Sequence, residues 1–260
     1  MDDAMPSPDA RGEFTLLCER CGYVVEGLPG DGPCPECGTP IADSLPDRRR
    51  GSPWQQRAGF ASWLRTGILM LRHPVRAWAV IRIESTCIGW AQVNRGVAAA
   101  LIAIVTSARV TRATVGPPAP EFLRWCYWAV VSLVLTLLFT IVLRLLTAVE
   151  HRGVRFFGAR RGWRVTHTVA DAVCAHASVG WLVAGVLFGA GAIIVDSGLA
   201  RQTAAAIGRP ILAPTPWLRY FPPGLGFFAG LLVFEFLVYF GVRHNRYANR
   251  STSGGPGTPG

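Results

Sequence analysis

The chain contains no lysine. All 26 of its basic side chains are arginine, a bias that reads as genome base composition rather than as a special role. Charge of either sign is scarce: 16% of residues are charged and 50% are hydrophobic, whereas an ordinary soluble domain carries about 25% charged residues. That shortage excludes a simple soluble globule and turns the reading towards lipid. The sequence also lacks HExxH, GxSxG and P-loop motifs, so no familiar catalytic constellation is present and the expectation is a non-enzymatic protein. Its first thirteen residues include Asp2, Asp3, Asp9 and Glu13 and no apolar run. A cleavable secretory signal is therefore not expected, and the N-terminus should stay in the cytoplasm.

Cysteines in that reducing compartment are not expected to pair as disulfides. Cys18-Glu-Arg-Cys21-Gly22 and Cys34-Pro-Glu-Cys37-Gly38 are two CxxCG knuckles separated by twelve residues. Each knuckle offers two sulfurs from one tight bend, and four thiolates suit a tetrahedral zinc ion. Gly22 and Gly38 let the backbone turn after the second cysteine of each knuckle. About thirty residues bury too little apolar surface to fold alone, so the metal should supply most of the stability of this small β ribbon. Iron is the alternative, since CxxCGY followed by CPxCG is similar to rubredoxin, but the interval here is much shorter than rubredoxin's.

The net charge of +10 suits nucleic acid or an anionic membrane surface. Within Cys18 to Ile41, however, the charged residues are Glu19, Arg20, Glu26, Asp31 and Glu36. This acidic balance opposes phosphate binding, so no nucleic acid is expected and a structural or protein-binding ribbon is. The arginines cluster instead beside apolar segments, which favours the bilayer.

The expected organisation is mainly α: a four-helix transmembrane bundle with an N-terminal zinc ribbon. Residues 1–13 read as a disordered tail, 14–41 as the ribbon and 42–53 as a linker without apolar periodicity. Residues 54–83 read as two short interfacial amphipathic helices divided at Pro74, with packing on the ribbon or on the bundle as the alternative. Phe60, Trp63, Leu64, Gly67, Met70 and Leu71 share one side, and Arg65, Arg72 and Arg76 the other. Residues 88–242 hold four spans, at 88–110, 125–149, 169–195 and 224–242, each near the ~20 residues a helix needs to cross; residues 243–260 read as a second disordered tail. The first span is weakest, because Asn94 and Arg95 lie inside it. Pro117, Pro118 and Pro120 separate the first two spans, and a Pro-rich stretch from Pro210 to Pro223 precedes the fourth.

Cytoplasmic loops hold the arginine excess. Arg152, Arg155, Arg160, Arg161 and Arg164 lie between the second and third spans. Arg109, Arg112 and Arg124, and later Arg201, Arg209 and Arg219, lie in the other loops. The expectation is a multi-pass protein of the inner (cytoplasmic) membrane with both termini inside.

Charges within spans are functional candidates. Arg95, Arg144, Asp171 and Glu235 fall in the cytoplasmic halves of their helices, with Arg144 and Glu235 the first pair to test; snorkelling to headgroups is the plainer alternative for the first three. His167, Asp171 and Cys174 recur at i, i+4 and i+7, so one helical face offers three metal ligands with no evident fourth. Cys87 and Cys126 read as small apolar residues in or beside the bilayer. Gly185 with Gly189, and Gly226 with Gly230, have the GxxxG spacing of close helix packing. The seam is either within one chain or between copies in a homo-oligomer.

The stretch CERCGYVVEGLPGDGPCPECGTPI resembles a group of bacterial membrane proteins that join such a ribbon to several spans. LRHPVRAWAVIRI and the Phe-Gly-x-Arg-Arg-Gly stretch from Phe157 to Gly162 are more loosely similar to the Yip-domain family. That resemblance implies a membrane scaffold without enzymatic activity; the small GTPase partners of its eukaryotic members are not carried over. The functional expectation is a scaffold whose cytoplasmic ribbon docks a protein partner. The alternative is a small-solute or ion transporter using Glu235 and the other intramembrane charges.

Overall fold

Apolar stretches of about twenty residues, with helix formers throughout and prolines confined to their ends, leave the helix as the natural way to satisfy every backbone group in lipid. The computed structural model describes residues 15–84, 88–115, 119–197 and 221–251. Its helices are α1 (Pro53–Gln56), α2 (Phe60–Arg72), α3 (Pro74–Val80), α4 (Ile88–Thr114), α5 (Glu121–Arg160), α6 (His167–Ala177), α7 (Val179–Asp196) and α8 (Phe221–His244). Among the described residues, four helical stretches are long and apolar enough to cross a membrane: α4, α5, α6 with α7, and α8. Along α5 the side chains that face outward are oils. Val130 and Leu133 are 61% and 63% exposed, an arrangement that water disfavours and lipid does not. Cys87, Pro117, Pro118 and the stretch 198–220, with Arg201, Arg209 and Arg219, lie outside the described residues.

The chain forms two compact units. Of the described residues, one combines 15–84, 88–91, 148–177 and 237–251; the other combines 92–115, 119–147, 178–197 and 221–236.

In the first unit, α3, the start of α4, α6 and the end of α8 pack together, while the ribbon keeps a small core of its own. Trp78, Trp90, Met70, Ile81 and Ile83 are fully buried, and Trp78 and Trp90 pack against the ring of His176. The expected division at Pro74 is present, with Pro74 opening α3 as a first-turn proline. α3 buries Ala77 and Trp78 and leaves Val75 exposed. α2 keeps an outward apolar face, with Phe60, Leu64, Ile68 and Leu71 exposed, whereas Met70, expected on that side, is buried.

The expected linker 42–53 is tightly held, by polar rather than apolar contacts. Arg49, the middle arginine of three, is buried. It donates to the carbonyls of Trp78 and Ile81 at 3.1 Å each and to Asn245 Oδ1 at 2.8 Å. Ser52 caps α1 in a reciprocal box with Gln55 and meets His176 Nε2 at 3.1 Å. Of the expected tail 243–260, residues 243–251 are also ordered: Asn245, Ala248 and Asn249 are buried.

The Phe157–Gly162 stretch ends α5. Trp163 N–H donates to Gly158 O and Gly162 N–H to Ala159 O, with Gly162 at φ +69°. This is a Schellman cap closing the helix, and a Cβ on Gly158 would lie 2.6 Å from Val165 Cγ2.

The second unit is built on small residues. Cβ atoms on Gly226 and Gly230 would come within 2.4 Å of the Leu187 carbonyl and 2.2 Å of the Ala184 backbone, and one on Gly185 within 3.1 Å of Ala98. These glycine seams therefore lie within one chain, joining α8 to α7 and α7 to α4; Gly189 is looser, its nearest neighbour 3.8 Å away. Asn94 is buried and donates to Ser178 Oγ at 2.8 Å, so the polar residue that weakens the first span has its partner inside the bundle. Arg109 and Asp196 pair at 3.2 Å.

Candidate metal centre

The ribbon is two copies of one turn. Cys18 N–H donates to Tyr23 O and Gly22 N–H to Cys18 O; Cys34 N–H donates to Thr39 O and Gly38 N–H to Cys34 O. Gly22 and Gly38 sit at φ +82° and +71°, the left-handed region that a turn after each second cysteine requires. The β character of the ribbon is limited to single antiparallel bridges, Leu17 with Val24 and Pro33 with Pro40. Cys18, Val25, Cys34 and Ile41 make a small core, too little apolar surface to hold thirty residues unaided.

All four sulfurs lie within 4.8 Å of one another. Cys18 and Cys37 are 3.6 Å apart and Cys21 and Cys34 are 3.7 Å apart. A tetrahedron with metal–sulfur bonds of about 2.3 Å has edges of about 3.8 Å, so the four cysteines are arranged as a metal-ion site. Their thiols do not ionise alike without an ion. Burial, with the crowding of the neighbouring thiols, pushes Cys21 up to about 12, whereas the hydroxyl and amide of Thr39 hold Cys37 down at about 6. A divalent cation among them removes that disparity by favouring the thiolate at every position.

Around the site, the ribbon is fastened by residues from distant parts of the sequence. Glu19 takes the guanidinium of Arg49 at 2.7 Å and the Asn249 N–H at 3.1 Å. Asn249 Oδ1 accepts from Leu17 N–H at 3.0 Å, and its amide donates to Leu17 O at 2.7 Å and Ser44 O at 2.8 Å. Arg164 donates to Thr15 O, to Ala248 O and to Asn249 Oδ1. The Tyr247 ring sits where a Cβ on Gly22 would fall. Sequence patterning gave no signal for this clasp, because each polar partner lies far along the chain. Several ribbon side chains are exposed: Tyr23, Val24, Glu26, Leu28, Asp31 and Glu36.

The other sequence-predicted residues fare differently. Arg144 is exposed on α5 and makes no ion pair with half-buried Glu235. Membership of the same half of two helices does not set which way either face turns. Cys126 is exposed near the start of α5. His167 and Asp171 do come together, with Nδ1 2.9 Å from Oδ2. Their third companion is His151, whose Nε2 lies 3.1 Å from Asp171 Oδ1, and not Cys174, which is buried outside this group. His151 comes from the preceding helix, so no spacing along α6 could reveal it.

No protein-family model, no curated protein and no solved structure matches this chain.

Proposed function

We propose that this protein is a non-enzymatic integral membrane scaffold of the inner (cytoplasmic) membrane, whose zinc-loaded ribbon presents a fixed docking face to a protein partner. The observation that carries the reading is the clasp. A ribbon held by Arg49, Arg164 and Asn249 is a rigid platform, and its exposed side chains include acidic Glu26, Asp31 and Glu36 and apolar Tyr23, Val24 and Leu28. Such a surface suits a basic protein partner that also offers apolar contacts.

Zinc is the metal this donor set favours, and structural zinc supplies on the order of 10 kcal/mol to a ribbon of this kind. The arginine distribution supports the orientation. Of the 22 described arginines, the first unit carries 17 and the second carries five, Arg95, Arg109, Arg112, Arg124 and Arg144. The excess belongs on the cytoplasmic side, together with the ribbon and the exposed apolar face of α2.

Affinity capture with the full chain, with a Cys18→Ser/Cys21→Ser variant and with a Glu26→Lys/Asp31→Lys/Glu36→Lys variant tests the docking face. Partners lost in both variants are the expected result. Identical partner lists in all three would count against a docking ribbon.

The transporter reading rests on Glu235, half-buried in α8. It predicts that Glu235→Gln abolishes solute flux in reconstituted vesicles, and unchanged flux removes it.

A further inference from the structure

We propose that His151, His167 and Asp171 form a second metal site, taking a first-row divalent cation and leaving a coordination position open on the His167 side. Two imidazoles and one carboxylate are the donor set of zinc and of iron, cobalt and nickel in their divalent states. Their geometry fits an ion. Donors held about 2.1 Å from a cation stand roughly 3 to 3.5 Å apart, and here Asp171 lies 2.9 Å from His167 Nδ1 and 3.1 Å from His151 Nε2. The ligand atoms of all three lie within 4.8 Å of one another, with the imidazole centroids 4.6 Å apart.

Pairing between imidazole and carboxylate alone does not account for this cluster. His151 Nε2 is buried and has no hydrogen-bond partner, although it is 3.1 Å from Asp171 Oδ1: the carboxylate stands off the direction in which that nitrogen bonds. A buried polar atom left unbonded is costly, and a cation between the three side chains satisfies it. Arg155 is a nearby permanent positive charge acting on His151. It weakens cation binding, so this site is expected to hold its ion less tightly than the four thiolates do.

The scaffold is stiff where the ligands sit. His151 is on the last turns of α5, and His167 and Asp171 are on the first turns of α6. The connection is short and closed by the Gly162 cap and the Gly158–Val165 contact. The exposure is graded: the His151 side chain is 14% exposed, Asp171 36% and His167 63%. The ion is thus gripped from one side and open on the other to water or an incoming ligand.

The experiment uses the full chain, purified in detergent with a tag free of histidine, stripped of metal and reloaded with cobalt(II). Cobalt in the four-cysteine ribbon gives an intense thiolate charge-transfer band; cobalt held by nitrogen and oxygen does not. The wild type is expected to take up a second equivalent that adds nothing to that band. His151→Gln, His167→Gln and Asp171→Asn should each weaken the second equivalent by roughly tenfold or more while the band persists, since even outer-shell changes cost that much. The persistent band reports that the ribbon still folds. Wild-type protein that binds a single equivalent overturns the proposal. So does a second equivalent held with unchanged affinity in His167→Gln, the most exposed of the three positions and the least able to disturb packing.

Discussion

Asn249 satisfies the backbone of Leu17, 232 residues away, and the carbonyl of Ser44, 205 residues away. Replacing it with alanine leaves one N–H and two carbonyls buried without partners, at about 1 to 3 kcal/mol for each unsatisfied group. Asn249→Ala should therefore destabilise the first unit by about 3 kcal/mol or more, seen as earlier thermal unfolding in detergent. Metal content should be unchanged, because the knuckles that hold the cysteines are local. A variant as stable as the wild type would show that the clasp contributes nothing. The same contrast explains what was readable residue by residue. The four cysteines announce themselves because CxxCG geometry is set within five residues, and the sulfurs meet as the spacing requires. Asn249, Arg49 and His151 are silent in the sequence, since a polar side chain whose partner lies far along the chain leaves no periodic trace.

At the scale of elements, the apolar runs located all four membrane-length helices, and the departures have local causes. α5 reaches 40 residues, about 60 Å of helix, because the stretch after Val149 is polar but still helical until the Gly162 cap stops it. Hydropathy reports where lipid ends, which is not where hydrogen bonding ends. The third span is interrupted at Ser178, between α6 and α7, where Ser178 receives the Asn94 amide; that pairing needs two helices to be seen. GxxxG spacing marked Gly226 and Gly230 but could not say what they pack on. Since a Cβ on Gly230 would fall 2.2 Å from the Ala184 backbone, Gly230→Ala forces α7 and α8 apart. The expected loss is about 2 to 3 kcal/mol, typical of overpacking, measured as a fall in melting temperature in detergent. Gly189→Ala, with 3.8 Å to its nearest neighbour, is the control and should melt like the wild type.

For the whole molecule, the consequential prediction is orientation, because a docking ribbon needs the cytoplasm and four crossings must return the chain to the side it left. Glu121 is the first residue of α5 and Arg161 follows its last, and both are exposed. If α5 crosses with the arginine-rich end inside, a cysteine at position 121 is on the outer side and one at 161 on the cytoplasmic side. In a background with Cys87, Cys126 and Cys174 replaced by alanine, and with the ribbon cysteines protected by metal, an impermeant maleimide applied to intact cells should label Glu121→Cys. Arg161→Cys should be labelled only after the cells are opened. The reverse pattern would put the ribbon outside and remove any cytoplasmic partner. Labelling of both positions from the same side would mean that this most apolar of the helices does not cross at all, and the even count of crossings that brings both termini inside would fail with it.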